Sequence, residues 1–309
     1  MMPLIQLAPA GVLRGVGWVF AFLATSSAVA MAIPKVRRSE SMRNAILGWW
    51  PVSVVGVLAV LCGRLASVVV LSIVSAGVLR ESLALLRLPA RFQRIAWPAG
   101  VLLAALTHAL MLYDGALATR VAFLAPLVVM PVVYLLTVGS EDFVRSAGGA
   151  VWATLASVGM FSFAARLTTG DVGGPYGGVG AAFAFFVLVM MSDAMQFMTG
   201  KVAGRTPLIP SVSPKKTWEG FILGACATGL VGALVAPSVL HQGRALGFAL
   251  GASVAVLGLA GDLIASGWKR DAGVKDSGVV IPGQGGLLDR CDSVLFVAPW
   301  FYGFAVACL

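Results

Sequence analysis

The residues best able to do chemistry crowd into one stretch of the sequence. Only 13 of the 309 residues are acidic, and positions 262–292 hold Asp262, Asp271, Asp276, Asp289 and Asp292. The same stretch carries Lys269, Arg270, Lys275 and Arg290, with Gly285 and Gly286 in a glycine-rich turn. Asp262, Ser266 and Lys269 are spaced i, i+4, i+7 and share one face of a helix, while Asp289 and Asp292, at i and i+3, point together. Carboxylates on neighbouring faces suit a hard cation that keeps some of its waters, such as Mg²⁺. Lysine and arginine beside them suit phosphate oxygens, and glycine N–H groups can cradle an oxyanion. Acids interleaved with bases match a metal–polyphosphate site better than a wholly anionic or cationic one. A salt-bridged connector is the plainer alternative, but it needs neither the glycine-rich turn nor an acid at membrane depth.

Two upstream stretches add to this set. Ser211–Gly220 contains Ser213, Lys215, Lys216, Thr217 and Glu219. It reads as a helix start, with Thr217 as N-cap, Glu219 favoured by the helix dipole and two lysines at headgroup level. A helix N-terminus behind two lysines is also an anion site. Asp193 lies inside an apolar run with Lys201 beyond it. Ionisable groups at membrane depth are costly and mark function. Asp193 and Glu219 either order the lysines or bind a second cation.

The elements that must position these residues are membrane helices. Hydrophobic residues make up 59% of the chain and charged residues 11%, against about 25% charged in soluble domains. A soluble globule needs more polar surface than that. Runs of about 20 apolar residues fall near 15–33, 45–62, 65–79, 95–113, 120–138, 149–165, 180–199, 218–236, 246–266 and 293–309. The expectation is an all-α polytopic membrane protein with eight to ten transmembrane helices: residues 1–180 supply the N-terminal and middle helices, and 181–309 the catalytic membrane region. The first run carries Arg14 in its midst and reads as a retained span rather than a cleaved signal. The four cysteines lie far apart and show no metal-ligand spacing.

Charge placement selects ten spans. Lys35, Arg37, Arg38 and Arg43 share one loop; Arg80, Arg87, Arg91 and Arg94 share another. Arg145 follows, then Lys201, Arg205, Lys215 and Lys216, then Lys269, Arg270, Lys275 and Arg290. With ten spans all these alternate loops fall on the cytoplasmic face, leaving Arg14, Arg64, Arg120, Arg166 and Arg244 opposite. The net charge of +9 is therefore topological and does not point to nucleic acid. The glycine-rich stretch 168–178 follows a helix on the outer side and reads as a connector, not a phosphate loop.

The pattern Ser266-x-Trp-Lys-Arg-x4-Lys-Asp-x-Gly-x2-Ile-Pro-x-Gln-Gly-Gly-Leu-x-Asp-Arg-Cys-Asp292 resembles the long signature of the phosphatidate cytidylyltransferase (CDP-diacylglycerol synthase) family. Ser213-Pro-Lys-Lys-Thr-Trp-Glu-Gly220 resembles that family's second hallmark, and Ser192-Asp193 with Gly200-Lys201 a third. Residues 1–180 match only in being polytopic. Gln284 stands where the family usually has His, Trp268 where it is usually aliphatic, and Cys291 at another departure. The resemblance implies cytidylyl transfer from CTP to phosphatidic acid, giving CDP-diacylglycerol and pyrophosphate. It further implies Mg²⁺, a second monovalent cation such as K⁺, a homodimer, and a multi-pass inner-membrane protein with its active site facing the cytoplasm.

On that reading Asp262, Asp289 and Asp292 bind the metal, while Lys269, Arg270, Lys275, Asp276 and Arg290 form the catalytic set. Ser213, Lys215, Lys216, Thr217, Glu219, Ser266, Gly285, Gly286, Asp193 and Lys201 bind substrate. Two rivals stand beside it. A secondary transporter of an anionic solute should show paired halves and polar residues at the midplane, and the sequence shows neither. A related CTP-dependent polyprenol or isoprenoid-lipid enzyme fits the hallmark stretches less well.

The only histidines, His108 and His241, fall away from the cytoplasmic loops. A phosphate monoester has a second pKa of about 6 and needs no base to act as nucleophile at neutral pH. A His108→Ala, His241→Ala double variant is expected to transfer cytidylyl groups within about tenfold of the parent rate across pH 6 to 9. A hundredfold loss at every pH, with expression unchanged, would refute base-free chemistry.

Overall fold

The computed structural model describes residues 10–32, 50, 53, 54, 56, 57, 63–169, 172, 177–280 and 285–309. Most of the expected span 45–62, the basic loop around Lys35 to Arg43, most of the 168–178 connector and Gln284 lie outside the described residues. The described chain runs α1 (Ala10–Ala32), α2 (Gly63–Leu85), α3 (Ala90–Leu110), α4 (Gly115–Thr137), α5 (Phe143–Thr154) and α6 (Phe161–Thr169). It continues through α7 (Gly177–Ala203), β1 (Pro207–Ile209), β2 (Ser213–Thr217), α8 (Trp218–Val235), α9 (Arg244–Asp271) and α10 (Leu288–Cys308). A π-helical turn at Leu155–Met160 joins α5 to α6, and another at Ala236–Leu240 extends α8.

In lipid every backbone polar group must be satisfied within the segment, so apolar runs become helices. Seven of the described helices are long and apolar enough to cross a membrane: Gly63–Leu85, Gly115–Thr137, Phe143–Thr169, Gly178–Ala203, Trp218–Leu240, Arg244–Asp271 and Leu288–Cys308. The protein is therefore an α-helical, multi-pass membrane protein. α3 is long enough but less apolar, since Arg91, Gln93 and Arg94 fill its first turns.

One element departs from the all-α expectation. β1 and β2 form an antiparallel two-stranded hairpin immediately before α8. Ser213, Lys215 and Lys216 thus lie on an extended strand. The Thr217 hydroxyl accepts from the Gly220 N–H at 3.2 Å and caps α8 as expected.

The helices that carry the site are held by small residues. α8 presents Gly224, Thr228 and Gly232 at four-residue intervals, and α9 presents Gly247 and Gly251. A methyl group at Gly232 would lie 3.1 Å from the Gly251 nitrogen, and one at Gly251 would lie 3.0 Å from the Gly229 Cα. Backbones can approach this closely only without side chains, the arrangement that drives helix association where lipid is as apolar as leucine. Nearer the start of α8 the same row meets α7, where a methyl at Gly220 would lie 2.7 Å from the Gly200 Cα. Thr199 Oγ1 also donates to the Gly220 carbonyl at 2.8 Å.

Three buried clusters complete the packing. Phe185 of α7 meets Phe301 of α10 edge to face in one of them. Phe92 of α3 meets Tyr134 of α4 in the second. The third joins Leu71 and Val78 of α2 to Leu288 and Leu295 of α10, bringing the two halves of the chain together.

Replacing Gly251 with Leu is expected to force α8 and α9 apart, because the obstruction is backbone and cannot rotate away. Overpacking costs about 1–3 kcal/mol and often more. Thermal unfolding in detergent should show a lower midpoint for Gly251→Leu than for Gly267→Leu, where nothing crowds the added Cβ. Equal midpoints would contradict close packing at Gly251.

Candidate active site

The ends of α2, α7 and α9 and the starts of α8 and α10 converge at one end of the bundle. Gly261 lets α9 lie directly on α10, since a methyl there would meet Phe296 Cδ2 at 2.9 Å. This close approach sets Asp262 beside Asp292. Asp193 of α7 completes the group: Ser293 Oγ donates to Asp193 Oδ1 at 2.9 Å, and the three carboxylates are near enough to repel one another.

Cations surround this acidic group. Lys216 forms an ion pair with Asp262, whose Oδ1 also accepts from Ser266 Oγ at 3.1 Å. The helical face expected for Asp262 and Ser266 is therefore present. Arg290 acts electrostatically on Asp193, and its buried Nε has no hydrogen-bond partner among the described residues. Lys269 reaches across to α10 and donates to Asp289 Oδ1 at 2.6 Å while also acting on Asp292. Lys269, Asp289 and Asp292 are each less than 9% exposed.

Asp289 differs from the other acids. Its Oδ2 accepts from the Ser277 N–H at 2.8 Å, the Ser277 hydroxyl at 3.0 Å and the Gly286 N–H at 2.9 Å. With Lys269 on Oδ1, both oxygens face protein donors. The Gly286 amide, expected to cradle a substrate oxyanion, thus cradles the protein's own carboxylate. Gly285 makes this turn at φ +85°, where a Cβ would also run into Asp289.

Other expected residues take different places. Glu219 accepts from the Arg205 N–H at 3.0 Å, the Thr206 N–H at 3.0 Å and the Thr206 hydroxyl at 2.7 Å. It fastens the turn leading into the hairpin rather than ordering a lysine among the described residues. Arg270 donates to the carbonyls of Val212 and Val274, tying the hairpin to the end of α9. Lys201 lies over the Phe197 ring at 4.3 Å. Lys215, Lys275 and Asp276 are exposed around the rim. Trp268 packs against Trp152 and the half-buried Cys291 against the third cluster, so both departures from the family pattern serve packing.

Glu81 at the end of α2 escaped the sequence reading. It accepts from the N–H groups of Leu287 and Leu288 and from the Ser277 hydroxyl. The one signal was its rarity: an acid among Arg80, Arg87, Arg91 and Arg94 in a chain with few acids.

The model of the cytidylyltransferase family matches residues 43–308. The chain belongs to the cytidylyltransferase family. It is 38% identical over 160 residues to the phosphatidate cytidylyltransferase of Mycobacterium leprae, covering 50% of this chain and 48% of that protein. It is 45% identical over 129 residues to the phosphatidate cytidylyltransferase of Synechocystis sp., 40% of this chain and 42% of that one. The Escherichia coli protein called "Uncharacterized protein YnbB" is 33% identical over 168 residues, 54% of this chain and 56% of its own. The chain thus spans about half the length of the curated relatives it matches.

The place of Glu219 within this family member is testable without turnover. Glu219→Ala should accelerate amide exchange at Arg205 and Thr206 by about tenfold or more, the loss of a charged acceptor, while the α9 amides keep their protection. Unchanged exchange at both positions would remove Glu219 from the role of fastening this turn.

Proposed function

We propose that the protein transfers a cytidylyl group from CTP to phosphatidic acid, giving CDP-diacylglycerol and pyrophosphate, at the cytoplasmic side of the inner membrane. The observation that carries this reading is the acidic group Asp193, Asp262 and Asp292 ringed by Lys216, Lys269 and Arg290. Membership of the family and the names of its relatives supply the nucleotide and the lipid. The lipid phosphate attacks the α-phosphorus of CTP and pyrophosphate leaves in line. Two polyanions must meet, so positioning and charge neutralisation are the main catalytic work.

The residues present fit Mg²⁺. Their donors are carboxylate oxygens, the ligands of hard cations. Among the described residues no group of three or more His, Cys, Asp or Glu closes on one point. Mg²⁺ does not require such a cage, because it commonly takes one or two carboxylates and completes its shell with water and substrate phosphates. Asp262 and Asp292, backed by Asp193, would hold it, with Asp289 joining if Lys269 turns to the substrate. Bound there, the ion supplies charge stabilisation to the phosphates.

The chain's own groups do the rest. Lys269 and Lys216, each now resting on a carboxylate, offer ammonium groups to the triphosphate. Arg290 brings a buried Nε–H that no acceptor among the described residues uses. Lys215, Lys275 and Arg270 raise the positive potential at the rim, and the apolar flanks of α9 and α10 admit the acyl chains. A K⁺ ion and a homodimer belong to this proposal through the family resemblance.

The test is purified protein with radiolabelled CTP, phosphatidate and Mg²⁺, following label into the lipid phase. Transfer is expected to require phosphatidate and to stop with EDTA. Asp289→Asn and Asp292→Asn should each lose several orders of magnitude of turnover, since metal charge stabilisation is worth several kcal/mol and about 1.4 kcal/mol is tenfold. Label reaching only a polyprenol phosphate would replace the acceptor. No transfer to any lipid, with CTP or another anion carried across vesicles, would replace the reading with transport.

A further inference from the structure

The last helix of the bundle begins with a leucine where a capping residue is expected. Leu287 at the N-cap of α10 has no polar side-chain atom, and the first N–H groups of a helix need acceptors. Glu81 supplies them from the other half of the chain. Its Oε1 accepts from the Leu287 N–H at 2.9 Å and its Oε2 from the Leu288 N–H at 2.9 Å. A carboxylate at that position also suits the helix dipole.

The same carboxylate reaches the loop between α9 and α10. Ser277 Oγ lies 2.7 Å from Glu81 Oε2 and 3.0 Å from Asp289 Oδ2, so its single proton bridges two acids. Asp289 in turn holds the Lys269 ammonium at 2.6 Å. Gly278 lies so close to Glu81 that a methyl there would sit 2.7 Å from Oε1. Ser277 and Gly278 after α9 and Gly286 to Leu288 at the start of α10 therefore lie over one carboxylate. The start of the loop is tied to the α2–α3 turn as well, where Arg87 donates to the Ala272 carbonyl.

We propose that Glu81 is a positioning residue for cytidylyl transfer: it fixes Ser277 and Gly278 against Gly286 to Leu288 and, through Ser277 and Asp289, the orientation of Lys269 toward the substrate phosphates. The inference rests on the function proposed above. Glu81 does not touch substrate, since both its oxygens are taken by the loop and the helix start. The half of the chain outside the long signature thereby enters the reaction through one side chain.

Glu81→Gln keeps the shape of the side chain but sets an NH₂ group against N–H and O–H donors. Its kcat is expected to fall about thirtyfold to a hundredfold, the range for losing charged hydrogen bonds, with KM for CTP changed less than threefold. Amide exchange should accelerate at Leu287 and Leu288 and stay as in the parent along α7 and α8. Ser277→Ala, which removes only the bridging hydroxyl, should lose about tenfold in kcat at unchanged KM. A purely structural role would instead lower the folded yield and leave kcat per folded molecule intact. Glu81→Gln with kcat within twofold of the parent would overturn the proposal. If Glu81→Gln does not fold, a parental kcat in Ser277→Ala would overturn it. A parent that transfers no cytidylyl group would fail the proposed function alone; exchange unchanged at 287 and 288 in Glu81→Gln would then refute the positioning by itself.

Discussion

The Lys269–Asp289 ion pair, 2.6 Å long with side chains 10% and 5% exposed, is the contact around which this end of the bundle is built. A charge taken out of water is tolerated only when paired and when its remaining lone pairs find donors. Lysine answers one oxygen of Asp289, and Ser277 with Gly286 answers the other. That requirement fixes the loop between α9 and α10, because only a chain folded back on itself brings the amides of residues nine apart to one carboxylate. It also joins α9 to α10 across their ends and holds an ammonium next to Asp292.

The acids on the other side of Lys269 obey a different rule. Asp193, Asp262 and Asp292 repel one another, and donors among the described residues answer them only in part. Ser293, Ser266 and Lys216 offset part of the repulsion. On the function proposed above, the unsatisfied acidic group would receive a cation and a polyphosphate, whereas the satisfied Asp289 would position a lysine.

Neither arrangement would hold on helices that could slide. The glycine and threonine positions of α8 and α9, with Gly200 and Gly220 between α7 and α8, let backbones meet and fix the register in which Asp193, Asp262 and Lys216 face each other. Gln196 adds a hydrogen bond from α7 to the Ala255 carbonyl of α9 at 3.2 Å. Lipid supplies no hydrophobic drive between helices, so close packing and interhelical hydrogen bonds do this instead.

The sequence alone determined that the chain spans a membrane, where most helices run, that Thr217 caps α8, and that the scarce charges gather at the end of the bundle formed by α8, α9 and α10. These follow from local properties: apolar run length, capping chemistry and the scarcity of charge in an apolar chain. Only the tertiary structure decided the partners. Spacing put Asp289 with Asp292, yet Asp289 turned to Ser277 and Gly286 while Asp292 joined Asp193 and Asp262. Glu219, expected to order the lysines or bind a cation, holds two backbone amides, and a short hairpin precedes the expected helix start. Glu81 could not be found from spacing at all, because it meets Leu287 across 206 positions of sequence. A carboxylate goes where donors are left over, and leftover donors are known only once the helices have been packed.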